Sequence, residues 1–381
     1  MAFPQILAVD SLIATRKRFI IPVLVITVVR TVYAYILYHA LRAGPNFSVP
    51  FMSIWNFKLP YDWLYLFSAW DSGAYQTIAV QWYPATLSPY WSYFPLYPAT
   101  FRLLSVLGID PALGAFLVSA TCGLASTVAF QGVAEGYFDR RDSLVATSLY
   151  FLFPPVFVFS AASYPESLFL LLSLLSWYLH RKQKERQACL AAGLCSLSRP
   201  EGVLMVIPLV FDYLKRGQLR KLPYLMIPLS VTVGWELYGF VLTDVWLPTR
   251  AAGIFWNTAN AQAVKRAVQQ LFQGDLSSIA ILLPYSGLIV AIVVILVVVV
   301  FLAWRNWKID KALCSYILAS TFLLGVSTSI AYRSFPRILS FFFPIGLALH
   351  TRNLKLLVTV VLLFLALDYA AWLAFLTDGF Y

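Results

Sequence analysis

The sequence predicts an all-α polytopic membrane protein on three observations: its composition, its uninterrupted apolar runs and the placement of its basic residues. Of the 381 residues 60% are hydrophobic and only 12% are charged, with a mean hydropathy of +0.76. That is too little charge to cover the surface of a water-soluble fold. Several stretches run for about 20 residues with hardly a charge, the length a helix needs to cross ~30 Å of hydrocarbon. Ser286 to Ala303 is the plainest, followed by Phe19 to Tyr38 and Leu356 to Phe375. A net charge of +11 raises nucleic acid as a partner, but the distribution of the charge excludes it. Arg16-Lys17-Arg18, Arg140-Arg141, Arg181 to Arg186, Lys215 to Lys221, Arg305 to Lys311 and Arg352 to Lys355 hold 18 of the 28 Lys and Arg, all between apolar segments. Such runs retain loops on the cytoplasmic side and meet anionic lipid there. The first apolar segment follows a basic stretch, as in a signal peptide. It is too long for one and shows no clear small-x-small cleavage site, so it reads as a retained helix. Cys122, Cys189, Cys195 and Cys314 lie in apolar segments without metal-like spacing, and no disulfide is expected.

With all six basic runs on one side, the intervening segments cross in pairs. Helix 19–41 runs outward into a long outer segment, 42–93, expected to carry an interfacial helix. Helix 111–137 returns, 144–162 goes out, and 167–180 comes back. Helices 187–199 and 202–214 form a hairpin, and 222–242 leads to a second outer loop at 243–278. Helices 279–303, 312–331, 335–350 and 355–377 bring the count to about eleven in a single membrane domain over 1–381, N-terminus in and C-terminus out. Residues 94–108 are apolar but too short to span, and counting them as a span would put every later basic run outside. They read as a re-entrant or interfacial helix.

The remaining charges gather at the outer face. Within 42–93, Pro60 opens a stretch in which Trp63, Phe67, Trp70 and Ala74 follow a three-to-four spacing, as in a helix lying at headgroup level. Asp71 would project from that helix toward a cavity beneath the loop, unless it is merely solvated or caps a helix. Glu166 follows Pro165 at a helix start and could cap it. Arg199 and Glu201 flank a hairpin tip and could form a structural ion pair. Arg333 and Arg337, four apart, could share a helix face and hold a phosphate, or anchor to lipid headgroups. Isolated charges brought to one level of the membrane are costly, and suit a site assembled between helices. His39, His180 and His350 sit at helix ends, form no metal triad, and no metal or cofactor is expected.

These motifs resemble the PIG-V family, the second mannosyltransferase of GPI-anchor synthesis, and its prokaryotic relatives among the GT-C membrane glycosyltransferases. The resemblance rests on Trp70-Asp71 with Tyr75 and Ile78-Ala79, then Tyr93-Phe94-Pro95-Leu96-Tyr97-Pro98 and Phe153-Pro154-Pro155. It continues through Ser163-Tyr164-Pro165-Glu166-Ser167-Leu168-Phe169, Leu197-Ser198-Arg199-Pro200-Glu201-Gly202 and Tyr332-Arg333 to Arg337. The motifs stand in family order over residues 60–345. The chain is shorter than the eukaryotic pattern, and its Arg-Pro-Glu-Gly tip is closer to the prokaryotic form, which puts a GPI acceptor in doubt.

The resemblance implies a GT-C fold and a polyprenyl- or dolichyl-phosphate mannose donor. The acceptor would be a hydroxyl of a glycolipid or glycan, and transfer would proceed with inversion. It makes Asp71 the general base and Arg333, Arg337 and Arg199 the groups that neutralise the leaving phosphate. Glu166 and Glu201, with Trp70, Tyr75 and Tyr97 of the shared motifs, would orient the acceptor or the arginines. It leaves room for an accessory membrane subunit. It also implies the cell membrane for a prokaryotic protein, which the tip favours, or the endoplasmic reticulum membrane for a eukaryotic one. The competing classes are a lipid-linked sugar flippase or transporter, which would place its charges near the bilayer midplane, a scaffold subunit, and a GT-C enzyme using another sugar.

Overall fold

The computed structural model describes residues 9–42, 59–246, 266, 269–271, 273–275, 286–326, 337 and 341–377. Among these the regular structure is entirely helical. Fourteen α-helices of interest follow in order: α1 (Val9–Arg42), α2 (Ser72–Gln81), α3 (Leu96–Val106), α4 (Pro111–Ala134), α5 (Arg140–Leu152), α6 (Pro154–Phe159) and α7 (Glu166–Arg181). Then come α8 (Glu185–Ser198), α9 (Val206–Lys215), α10 (Met226–Thr243), α11 (Ser286–Ile309), α12 (Lys311–Val326), α13 (Pro344–Ala348) and α14 (Leu354–Thr377). Among the described residues four stretches, Phe19–Arg42, Pro111–Ala134, Leu219–Thr243 and Leu354–Leu373, are long and apolar enough to cross a membrane. Much of the second outer loop and residues 43–58 of the first lie outside the described residues.

Helix starts follow local chemistry. Asp110 precedes Pro111 and its carboxylate accepts from the amides of Ala112 (2.8 Å) and Leu113 (3.4 Å), capping α4. Asp139 caps α5 through the Asp142 amide at 2.9 Å. The Pro154-Pro155 pair ends α5 and opens α6, so the stretch expected as one helix over 144–162 is two. Helix α3 has 11 residues, about 16 Å at 1.5 Å per residue, half of what a span requires. Its Leu103 and Val106 are exposed.

The centre is built by α4, α7 and α8. Small residues on α4 allow close approach: a Cβ on Gly123 would collide with the Ser160 backbone. Large apolar side chains on α1, α10 and α14, among them Leu24, Val28, Val241 and Leu362, face outward, where a bilayer would solvate them and water would not. Within this apolar surround α1 carries Arg30. Its Nη2 donates to the Phe157 carbonyl (2.8 Å) and to Ser160 Oγ (2.7 Å), and its guanidinium lies 5.1 Å from the Phe157 ring centroid. Asp368 of α14, fully buried, is the acidic group close enough to act on that charge.

Contacts among the described residues tie five of the six basic runs into one end of the molecule. Arg352 reaches Asp142 (2.6 Å) and Asp139 (3.2 Å), and Arg305 Nη2 donates to the His350 carbonyl (2.6 Å). Arg181 lies 3.8 Å from Asp310, whose carboxylate also accepts from Tyr137 (2.9 Å). Lys221 donates to Glu185 (2.6 Å), and Arg216 pairs with Asp212 (2.8 Å). Between these last two acids sits a buried imidazole: His180 Nδ1 is 2.8 Å from Glu185 and Nε2 is 2.7 Å from Asp212. Spacing in the sequence gave no sign of that arrangement. The side chains of the run at 16–18 lie outside the described residues.

Candidate active site

At the opposite end, five charged side chains from four segments form one alternating ladder. Asp71 Oδ2 lies 3.9 Å from Arg337 Nη2, and Arg337 Nε lies 3.1 Å from Glu166 Oε1. The same Glu166 oxygen accepts from Arg199 Nη1 at 2.6 Å, and Arg199 Nε donates to Glu201 Oε2 at 3.2 Å. Exposure falls along the ladder from 37% for the Asp71 side chain to 9% for Arg337 and 0% for Glu166. A carboxylate buried this deeply persists only because it is paired on both sides. The Arg337 guanidinium also lies 5.2 Å from the ring centroids of both Phe159 and Tyr164, a cation–π seat that leaves Nε without a hydrogen bond of good geometry. Arg199 bonds both glutamates through Nε, Nη1 and Nη2. Arg333 lies outside the described residues.

Local folding explains each placement. The expected continuous helix through Trp63, Phe67, Trp70 and Ala74 does not form. A 3-10 turn at Asp62–Leu66 and helix α2 are separated by a break at Phe67–Asp71, with Trp70 at φ 53°. Tertiary hydrogen bonds replace the helical ones there. The Phe67 carbonyl accepts from the Ser163 amide (2.7 Å), while Tyr164 Oη takes the Asp71 amide (3.0 Å) and donates to the Ala69 carbonyl (3.1 Å). Asp71 therefore sits at the N-cap position of α2 and not on a helix face, yet its side chain makes no capping bond. Its Oδ1 accepts instead from the Tyr93 hydroxyl at 3.1 Å.

Glu166 is the first residue of α7, and its Oε1 accepts from Arg199 while its Oε2 bonds no helix amide. Arg199 is extended at the end of α8, and Pro200 opens a 3-10 turn to Met205. Gly202 is required in that turn, because a Cβ would run into the backbone of Cys195 and Ser196.

The remaining candidates separate into two groups. Tyr75 is buried beside the ladder, its ring edge-on to Tyr93 (5.0 Å) and Tyr97 (5.2 Å). Tyr97 is fully buried, and its hydroxyl is spent on the Ala115 carbonyl (3.0 Å) and Ser119 Oγ (2.8 Å) of α4. Trp70 Nε1 donates to the Phe375 carbonyl (2.6 Å), and Trp372 Nε1 to the Leu66 carbonyl (2.8 Å), pinning the end of α14 to the loop. Tyr97 and Trp70 thus brace the site. Tyr93 and Tyr164 were not among the site residues expected from the sequence, although both stand inside the quoted motifs. Only the contact with Asp71 distinguishes them from the many other tyrosines.

Comparison with known proteins adds three findings. Residues 91–256 match the family model described as dolichyl-phosphate-mannose-protein mannosyltransferase. That segment contains Tyr93, Glu166, Arg199 and Glu201, but not Asp71 or Arg337. GPI mannosyltransferase 2 of Yarrowia lipolytica is 30% identical over 153 residues, 39% of this chain. The match spans only 41% of that relative's length. The crystal structure of ArnT from Cupriavidus metallidurans in the apo state aligns with a TM-score of 0.43 at 15% identity, over 75% of this chain and 54% of that one. A score at that level carries no weight for the fold. Family model and curated relative agree with the motif order: over part of its length the chain is similar to membrane mannosyltransferases.

Proposed function

We propose that the chain is a membrane glycosyltransferase that moves mannose from a polyprenyl- or dolichyl-phosphate donor to a hydroxyl of a glycolipid or glycan acceptor. The observation that carries this reading is the partly exposed Asp71 carboxylate held 3.9 Å from the buried Arg337 guanidinium. A base and a phosphate-neutralising cation are what the transfer requires in one place. The acceptor oxygen attacks the anomeric carbon from the face opposite the lipid phosphate. Its proton passes to Asp71, the bond from that carbon to the phosphate oxygen breaks, and the electron pair leaves with the phosphate, which inverts the anomeric centre. Arg337, whose Nε makes no well-formed hydrogen bond, meets the charge that develops on the phosphate. Arg333 is its proposed partner. Arg199, paired with Glu166 and Glu201, holds those carboxylates for the acceptor.

The same reading keeps an N-in, C-out arrangement of about eleven crossings, with the loops at 42–93 and 243–278 on the site's side. It favours the cell membrane of a prokaryote and leaves an accessory subunit open. The test is incubation of purified protein with labelled polyprenyl-phosphate mannose and a membrane lipid extract. Wild type should label an acceptor, whereas Asp71→Asn should stay folded, retain donor binding, and transfer about 10²- to 10⁴-fold more slowly. Turnover near wild type in that variant removes Asp71 as base, and movement of donor across the bilayer without a new glycoside favours the flippase.

A further inference from the structure

Far from the ladder, at the end where the basic runs meet, lies a cleft of about 390 Å³ that the transfer reaction does not use. Its walls are Phe138, Phe301, Trp304 and Ile309, and its polar groups are Arg305, Lys308 and His350. Arg305 and Lys308 stand three apart on α11 and so share a face. The Lys308 ammonium lies 4.1 Å from the Trp304 ring centroid, and Arg305 Nη2 is fixed by the His350 carbonyl at 2.6 Å. His350 stacks on Phe138 with centroids 4.6 Å apart. Asp142 Oδ2 stands 3.5 Å from His350 Nε2, too poorly aligned for a hydrogen bond, and that carboxylate is spent on Arg352 at 2.6 Å. Burial holds the His350 imidazole below its usual value against the pull of Asp142. The charge of the cleft at neutral pH therefore comes from the two cations.

We infer that this cleft binds the headgroup of an anionic glycerophospholipid in the leaflet facing the basic runs. Two cations, Arg305 held by the His350 carbonyl and Lys308 lying over Trp304, recognise a phosphodiester and repel a choline or ethanolamine ammonium. The volume suits a phosphoglycerol headgroup, near the lower end of ligand cavities at roughly 300–1,000 Å³. The aromatic and aliphatic walls fit a glycerol backbone better than a free, fully hydrated phosphate. Beyond the cleft, Val297, Val298, Val300 and Phe301 of the same helix are exposed, giving acyl chains an apolar track into the bilayer. Basic pockets between membrane helices at the cytoplasmic surface have the chemistry to hold such lipids.

The test uses full-length protein in phosphatidylcholine nanodiscs with a trace of photoactivatable phosphatidylglycerol. Crosslinks should map to the peptide containing Phe301 to Ile309. Lys308→Gln should lower labelling about fivefold, and Arg305→Gln with Lys308→Gln about thirtyfold, at the attraction expected for each basic residue near an anionic lipid. Lys215→Gln, which removes an exposed lysine of another basic run, should leave it unchanged. Unlabelled phosphatidylglycerol should compete, while unlabelled phosphatidylethanolamine and millimolar inorganic phosphate should not. Because Arg305 also holds a backbone carbonyl, the exposed Lys308 alone decides the matter if the double variant fails to fold. Undiminished labelling in Lys308→Gln, an equal loss in Lys215→Gln, or displacement by inorganic phosphate or phosphatidylethanolamine overturns the inference.

Discussion

Replacing Glu166 with glutamine removes one charge and leaves the shape of the side chain intact, which makes it the sharpest probe of the ladder. Glu166 is 0% exposed and its Oε1 serves both Arg199, at 2.6 Å, and Arg337, at 3.1 Å. At an effective dielectric of about 20, each guanidinium about 4 Å away attracts a carboxylate by about 4 kcal/mol. Losing both attractions is offset in part because the neutral amide no longer pays the desolvation of a buried anion and still accepts a hydrogen bond from Arg199. The two arginines are then left facing each other across a neutral group, with Glu201 and the partly exposed Asp71 as their remaining partners. Breaking a buried pair from one side costs about 3–5 kcal/mol, and the variant should lie in that range. Asp71→Asn supplies the comparison. It alters a 3.9 Å contact to a carboxylate that is 37% exposed and should cost less than about 1 kcal/mol. The assay is denaturant unfolding of purified protein in mixed micelles, followed by tryptophan fluorescence. A Glu166→Gln variant no less stable than Asp71→Asn refutes the ladder as a buried, mutually dependent unit.

Three further outcomes are expected. Gly202→Ala should abolish transfer and lower the unfolding midpoint, because the Cβ collides with the Cys195–Ser196 backbone and displaces both Arg199 and Glu201; a thermal-shift scan with the labelled-donor assay checks both. Tyr93→Phe removes the hydroxyl that donates to Asp71 at 3.1 Å and should lower kcat/KM about fivefold, the equivalent of about 1 kcal/mol, without the loss expected of Asp71→Asn. At the other end, the hydrogen bond from Arg352 holds the Asp142 carboxyl below its usual value, against burial. A depressed carboxyl stabilises the fold above its unfolded value of about 4 and loses that contribution as pH falls through the lower folded value. The destabilisation by Asp142→Asn should therefore be present at neutral pH and fade below about pH 4 in a pH series of unfolding curves.

Much of this was legible in the sequence because it depends on local rules. The shortness of residues 94–108 pointed to a helix as short as the 11-residue α3, and the basic runs mark one end. Pro165-Glu166 and Arg199-Pro200-Glu201-Gly202 announce a helix start and a tight tip. What stayed hidden depends on partners distant in the chain. The three-to-four spacing around Trp70 suggested a continuous helix, but Ser163 and Tyr164, over 90 residues away, take the hydrogen bonds that would have closed it. No spacing distinguishes Tyr93 from other tyrosines or links His180 to Asp212. An isolated arginine such as Arg199 carries no sign in the sequence of the Glu166 and Glu201 carboxylates beside it.

Arg30 has a consequence for how the chain is made. Its hydrogen-bond partner at Phe157 lies 127 residues further along, about 6–25 s of translation at 5–20 residues per second. During that interval the first span would carry a bare guanidinium, costing about 2.5–3.5 kcal/mol near the bilayer centre. The nearby acidic residue, Asp368, lies 338 residues further along the chain. The first helix is thus poorly suited to early, independent release into lipid. Biogenesis would favour its retention at the insertion machinery until Phe157 and Ser160 emerge, so the assembly order is written into a single side chain of the opening helix.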